Sequence, residues 1–122
     1  MTKTIMVVDD AQFIRLRVTK LLTEQGYEVI QAADGEEAVE TYRTARPDAV
    51  LMDITMPRKD GLMALAEIRA FDQKAKVIML TALSQQTMVL EAMKSGAKDF
   101  LVKPYDPDRV LKTLHKVLEY SL

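Results

Sequence analysis

The sequence predicts a doubly wound α/β fold, a three-layer (βα)5 sandwich about a five-stranded parallel sheet in the order 2-1-3-4-5. Three observations carry that expectation. Five short apolar runs alternate with segments of helical length, which requires crossover connections and hence parallel strands. Several runs are continuously apolar rather than alternating, as strands covered on both faces are. No Gly-rich dinucleotide turn follows the first run, which favours this strand order over the six-stranded alternative.

The strands are expected at about Thr4–Val8, Glu28–Ala32, Ala49–Met52, Lys76–Leu80 and Asp99–Val102. Helix one places Ile14, Val18, Leu21 and Leu22 on one face and ends near Gly26, which suits a left-handed cap. Asp34-Gly35-Glu36-Glu37 has the cap-x-x-Glu spacing of a second helix start. Gly61 opens a third helix through Ile68, and Ser84 is the expected cap of a fourth that stops at Gly96. Asp106-Pro107 is a cap with proline at the first helical position, followed by Val110, Leu111, Leu114, Val117 and Leu118 facing inward.

Composition limits the function. The 122 residues suit one domain, 1–122, with 48% apolar and 29% charged residues. With 17 basic against 18 acidic residues and a formal net charge of -1, no basic excess points to nucleic acid or an anionic membrane. The absence of cysteine excludes disulfides, zinc thiolates and thiol catalysis. The first apolar run is stopped by Asp9 and Asp10, so it is no signal peptide, and a cytoplasmic protein is expected.

The residues able to do chemistry sit just past four of the strands: Asp9-Asp10, Asp53, Thr81 and Lys103. In an open parallel sheet these ends share one edge, and strands 1 and 3 are neighbours at the topological switch point. Three carboxylates brought together raise at least one pKa unless a cation neutralises them. Mg2+ suits such a site, because it takes few hard oxygen ligands from protein and keeps waters and a phosphate. Asp10 and Asp53 are the expected direct ligands, with Asp9 direct or through water and the Thr55 backbone carbonyl completing the protein's share. Asp53 is also the candidate nucleophile, able to form an aspartyl phosphate that water later hydrolyses. Lys103 is placed to pair with phosphoryl oxygens and Thr81 to hydrogen-bond one of them. The single His115 reads as a surface or packing residue, and most of the eight methionines as core.

Taken together, these segments resemble the receiver domain of two-component response regulators, and in particular the stand-alone chemotaxis regulators of CheY type. Asp9-Asp10 resembles the family's acidic metal pair, and Asp53-Ile54-Thr55-Met56-Pro57-Arg58-Lys59-Asp60-Gly61 its phosphoacceptor segment. Thr81-Ala82 resembles its hydroxyl and small residue, and Gly96-Ala97-Lys98-Asp99-Phe100 with Lys103-Pro104 its closing signature. The resemblance spans essentially the whole chain. It implies a flavodoxin/CheY-like fold, a cis Lys103–Pro104 peptide and a sensor histidine kinase as phosphoryl donor; a monomer and a single receiver domain, 1–122, without an output domain are expected.

The resemblance also implies a switch. Thr81 moves toward the phosphoryl group, and an aromatic at the position of Phe100 swings inward; many chemotaxis members have tyrosine there, whose hydroxyl Phe100 lacks. The implied output face lies on helix four, strand five and helix five, around Leu90, Lys94, Lys98, Tyr105 and Lys112, while Phe13 is a candidate kinase contact. Thr55 and Leu83 stand where polar or acidic residues help water attack, so slow self-dephosphorylation and a separate phosphatase are expected. The implied target is the flagellar motor switch or another protein, with a phosphorelay intermediate as the alternative. Two other classes fit poorly. An Mg2+-dependent aspartyl-phosphate phosphatase would carry a second acid where Thr55 stands, and a flavodoxin-like electron carrier would not place Asp9-Asp10 at its phosphate loop.

Overall fold

The backbone of the computed structural model is described over residues 2–119. Strands β1 (Thr4–Val8), β2 (Glu28–Ala32), β3 (Ala49–Asp53), β4 (Val77–Ala82) and β5 (Asp99–Lys103) form one parallel sheet in the order β2-β1-β3-β4-β5. Helices α1 (Gln12–Glu24), α2 (Gly35–Ala45), α3 (Gly61–Phe71), α4 (Gln86–Lys94) and α5 (Pro107–Glu119) connect or follow them. The expected strands are all present; β3 and β5 run one residue further, to Asp53 and Lys103, and β4 reaches Ala82.

Successive side chains of a strand point to opposite faces, so each continuous apolar run feeds two cores. Ile5, Val7, Leu51, Ile78, Leu80 and Leu101 pack with Val18 and Leu22 of α1 and Val110, Leu114 and Val117 of α5. Met6, Val8, Val50, Met52 and Met79 face the other way, onto the layer of α2, α3 and α4 through Val39, Tyr42, Leu65, Ile68 and Ala92. Of the methionines, Met6, Met52, Met56 and Met79 are buried, whereas Met63, Met88 and Met93 on the helices are exposed. The expectation of a largely internal set holds for the strands and fails on the helices.

Most helix ends follow local chemistry. Asp34, Asp60 and Asp106 accept from the backbone N–H groups of Glu37, Met63 and Arg109 at 2.8, 2.9 and 2.8 Å. Gly26 and Gly96 take positive φ values of 92° and 100° at the ends of α1 and α4. Lys103–Pro104 is cis.

Helix four begins differently from the expectation. Ser84 caps nothing; it lies within a 3₁₀ turn, Leu83–Gln85, and α4 starts only at Gln86. The side chain of Gln85 accepts from the N–H of Ala82 at 2.8 Å, and this local bond supports the tight turn in place of a serine cap.

The segment between β3 and α3 is fastened to α2. Arg58, at φ 65°, donates two bonds to Asp34 Oδ2 at 2.9 and 2.7 Å, and Gly35 N–H donates to the Lys59 carbonyl at 3.0 Å. Lys59 in turn pairs with Glu67 of α3. The loop that carries the residues after Asp53 is therefore tied through Arg58 and Lys59 to both α2 and α3.

Candidate functional site

Strand register assembles the site. Val8 pairs with Met52, so the next residues, Asp9 and Asp53, leave neighbouring strands side by side. Asp53 pairs with Leu80, and Ala82 with Lys103, which sets Thr81 and Lys103 along the same sheet edge. Carboxylate oxygens of Asp9, Asp10 and Asp53 lie within 4.8 Å of one another. Lys103 Nζ stands 3.2 Å from Asp53 Oδ2 and 3.6 Å from Asp9 Oδ2. Residues drawn from β1, β3 and β5 thus meet in one small volume.

Asp9 and Asp53 are buried, with 1% and 7% exposure, while Asp10 faces solvent. Asp9 is held firmly: its Oδ1 accepts from Ala11 N–H at 2.9 Å, and its carbonyl accepts from Arg15 at 2.7 Å. Arg15 also reaches Gln31 at 3.0 Å, tying α1 to β2 beneath the site. The other Asp9 oxygen, Oδ2, is buried and has no hydrogen-bond partner beyond the more distant Lys103 ammonium. A buried carboxylate oxygen with so few partners is able to serve a hard cation as a ligand.

Burial is the main cause that pushes the Asp53 carboxyl above the ordinary carboxylate value. The Lys103 ammonium opposes it, and the neighbouring Asp9 charge adds to it. The sequence expectation of a raised acid is met, but desolvation outweighs repulsion between the carboxylates as its cause. Tyr105 feels the same surroundings: burial, then Asp9 and Asp53, push its phenol up to about 12.

Thr81 is 1% exposed, and its hydroxyl faces Gln85 Oε1 at 3.3 Å and the Ala82 carbonyl at 3.1 Å. Gln85 Nε2 stands 2.5 Å from the hydroxyl of Thr55, whose side chain is exposed two residues beyond Asp53. Gln85 and Arg15 were invisible as site residues in the sequence. Each acts only through a fold-dependent partner, and neither stands at a strand end, where the search for chemistry began. The Leu83 side chain lies outside the described residues.

The expected partner positions separate into two groups. Phe13, 70% exposed with the Arg17 guanidinium over its ring at 4.9 Å, and Leu90, Lys94, Lys98 and Lys112 are at the surface. Phe100 is 39% exposed, directed outward from β5 rather than into the core. Tyr105 differs from them: it is half-buried against the α1/α5 core, with its hydroxyl enclosed and unpartnered. Its ring lines a cavity together with Arg17, Val18, Leu21, Pro107 and Val110.

Comparison with known proteins agrees with this geometry. The profile of the response regulator receiver domain matches residues 5–115. The chemotaxis protein CheY of Thermotoga maritima is 50% identical over 118 residues, covering 96% of this chain and 98% of its own. Protein CcdB of Bacillus subtilis is also 50% identical, over 115 residues, covering 93% and 96%. Among solved structures, the CheX-CheY-BeF3-Mg2+ complex of Borrelia burgdorferi superposes with a TM-score of 0.90 at 41% identity, covering 94% of this chain and 88% of that one. With strand order, residue pattern and full-length similarity in accord, the chain belongs to the response regulator receiver domain family, and within it resembles the CheY chemotaxis proteins.

Proposed function

We propose that this protein is a phosphorylation-activated signalling switch that accepts a phosphoryl group on Asp53 with Mg2+ bound beside it. The single observation that carries the reading is the meeting of Asp9, Asp10 and Asp53 around one volume with Lys103 against two of them. The unpartnered Oδ2 of Asp9 and three carboxylates within 4.8 Å fit a hard divalent cation, with the Thr55 carbonyl as a further ligand. When bound, Mg2+ neutralises the acidic cluster and draws charge from the transferred phosphoryl oxygens.

The remaining work belongs to the chain's own residues. An Asp53 carboxylate oxygen attacks phosphorus, the bond to the donor's histidine nitrogen breaks, and that nitrogen recovers a proton from solvent. Lys103, already 3.2 Å from Asp53, pairs with the added phosphoryl charge of about −1.5 to −2. Thr81 then supplies its hydroxyl to a phosphoryl oxygen, and Phe100 leaves its exposed position for the interior behind it. Such a change biases the face of α4, β5 and α5, where Leu90, Lys94, Lys98 and Lys112 are exposed.

Similarity to CheY proteins supports a role in chemotaxis, with a sensor histidine kinase as donor and the flagellar motor switch as the leading target. The Borrelia relative is seen in complex with a second protein, CheX, and a separate partner that hydrolyses the acyl phosphate suits the non-acidic Thr55 and Leu83 here. A relay role differs only in the output, so binding of the phosphorylated form to motor-switch rather than phosphotransfer proteins separates the two.

The test of the core claim is incubation with Mg2+ and acetyl phosphate, followed by intact-mass measurement. Wild type should gain one phosphoryl group and Asp53→Ala none; equal labelling of both would remove Asp53 from the role. Phe13→Ala supplies a second expectation. Loss of an exposed aromatic contact of about 1–2 kcal/mol should slow transfer from the kinase roughly fivefold to thirtyfold while leaving acetyl phosphate labelling intact. Rapid-quench measurement of both reactions checks it, and equal slowing of the two would make Phe13 purely structural.

A further inference from the structure

One side chain spans the mouth of the site between its two loops. Gln85 Oε1 accepts from Ala82 N–H at 2.8 Å and faces the Thr81 hydroxyl at 3.3 Å, while its Nε2 reaches Thr55 Oγ1 at 2.5 Å. A backbone N–H can only donate, so the amide oxygen must face Ala82 and the amide nitrogen must face Thr55. The hydroxyl of Thr81 has a single proton, and both acceptors near it, Gln85 Oε1 and the Ala82 carbonyl, belong to the segment that joins β4 to α4. Thr81 is almost wholly buried, so it cannot exchange these acceptors freely for bulk water.

We infer that Gln85 is a positioning residue for the phosphorylation step, its amide oxygen holding Thr81 and its amide nitrogen holding Thr55 in the arrangement of the unmodified site. The inference rests on Asp53 being the phosphoacceptor. A phosphoryl oxygen on Asp53 competes with a neutral amide for the Thr81 proton. It wins, because a charged acceptor forms the stronger bond, but by less than it would against no competitor. Breaking the Gln85 contacts also frees Thr55 and releases the residue that immediately precedes α4, where Gln85 Nε2 lies 3.8 Å from Met88 Sδ. One displaced amide therefore links the chemistry at Asp53 to the first turn of the helix that carries Leu90 and Lys94. Apart from Gln85, no described side chain hydrogen-bonds both Thr55 and Thr81.

The test is a titration with beryllium fluoride, a non-covalent phosphoryl analogue, in excess Mg2+. Gln85→Leu keeps the volume and removes both polar atoms, and Gln85→Ala serves if the leucine form does not fold in a thermal melt. Removing one competing hydrogen bond should tighten analogue binding about threefold to tenfold. In a Thr81→Ala background no hydroxyl remains to be released, so the same substitution should change affinity less than about twofold. Unchanged or weakened binding in the Gln85 variants, or equal tightening in both backgrounds, would overturn the positioning role. If wild type neither binds the analogue nor is labelled by acetyl phosphate, the phosphoacceptor reading itself fails and the role of Gln85 falls with it.

Discussion

Asp53→Asn will accept no phosphoryl group, and in metal-free buffer at neutral pH it will unfold at a higher temperature than wild type. The two effects share a cause. Asp53 is a buried carboxylate whose ionisation burial disfavours, and Lys103 at 3.2 Å offsets that only in part. Its folded pKa lies above the ordinary 3.8, so between those two values the folded state holds a proton that the unfolded chain has released. Stability conferred by the protonated group is therefore lost as pH rises through this window, and none of it returns at neutral pH. Asparagine keeps the shape and removes the charge, so the variant lacks this decline. Each kcal/mol recovered raises the melting temperature of a domain this size by about 4 °C.

Mg2+ reverses the ranking. A cation at a hundred times its dissociation constant stabilises wild type by about 2.7 kcal/mol. That corresponds to a rise of roughly 10 °C. The asparagine variant, with one of three carboxylates lost, should gain less than half as much. Melting curves with and without Mg2+ across the acidic to neutral range check both statements. Asp34 and Asp72 do not confuse the reading, because their carboxyls are shifted downward and their losses lie at and below the ordinary value. A wild-type protein that is more stable than Asp53→Asn without metal would show that Lys103 outweighs burial.

The strand framework was legible in the sequence because buried parallel strands are continuous apolar runs, and their ends point to one edge whatever the helices do. Asp9, Asp53 and Lys103 could be placed together from strand order alone, since register needs only the ends. Helix starts were legible where a single local bond decides them, as at Asp34 and Asp106. Ser84 failed because a competing local bond from Gln85 wins, and side-chain competition over four residues leaves no periodic signal. The half-burial of Tyr105 was not legible for a related reason: it depends on packing against the α1/α5 core, which leaves no local signal.

Gly61→Ala is expected to damage stability and the site together. The sequence explains Gly61 only as the opening residue of a helix, where alanine would normally be acceptable. In the fold, a Cβ at this position would lie 2.2 Å from the Asp53 carbonyl oxygen and 2.9 Å from Ile54 Cα. Both are backbone atoms at the strand end that presents Asp53, so no flexible side chain can move aside. The Gly61 N–H also donates to the Ile54 carbonyl at 2.6 Å, which holds the start of α3 against that strand. Relieving the overlap must push α3 outward or shift Asp53, at a cost of about 1–3 kcal/mol and more if neither yields. The shift reaches Asp53 itself, so Mg2+ affinity and acetyl phosphate labelling should fall along with the melting temperature. Asp60→Ala is the matched control: it removes the cap bond to Met63 N–H and about 1 kcal/mol of stability without touching Asp53. Titrating Mg2+ against both variants separates a weakened helix from a displaced acid. Wild-type affinity in Gly61→Ala would mean that α3 alone absorbs the strain and that the close approach serves packing rather than the site.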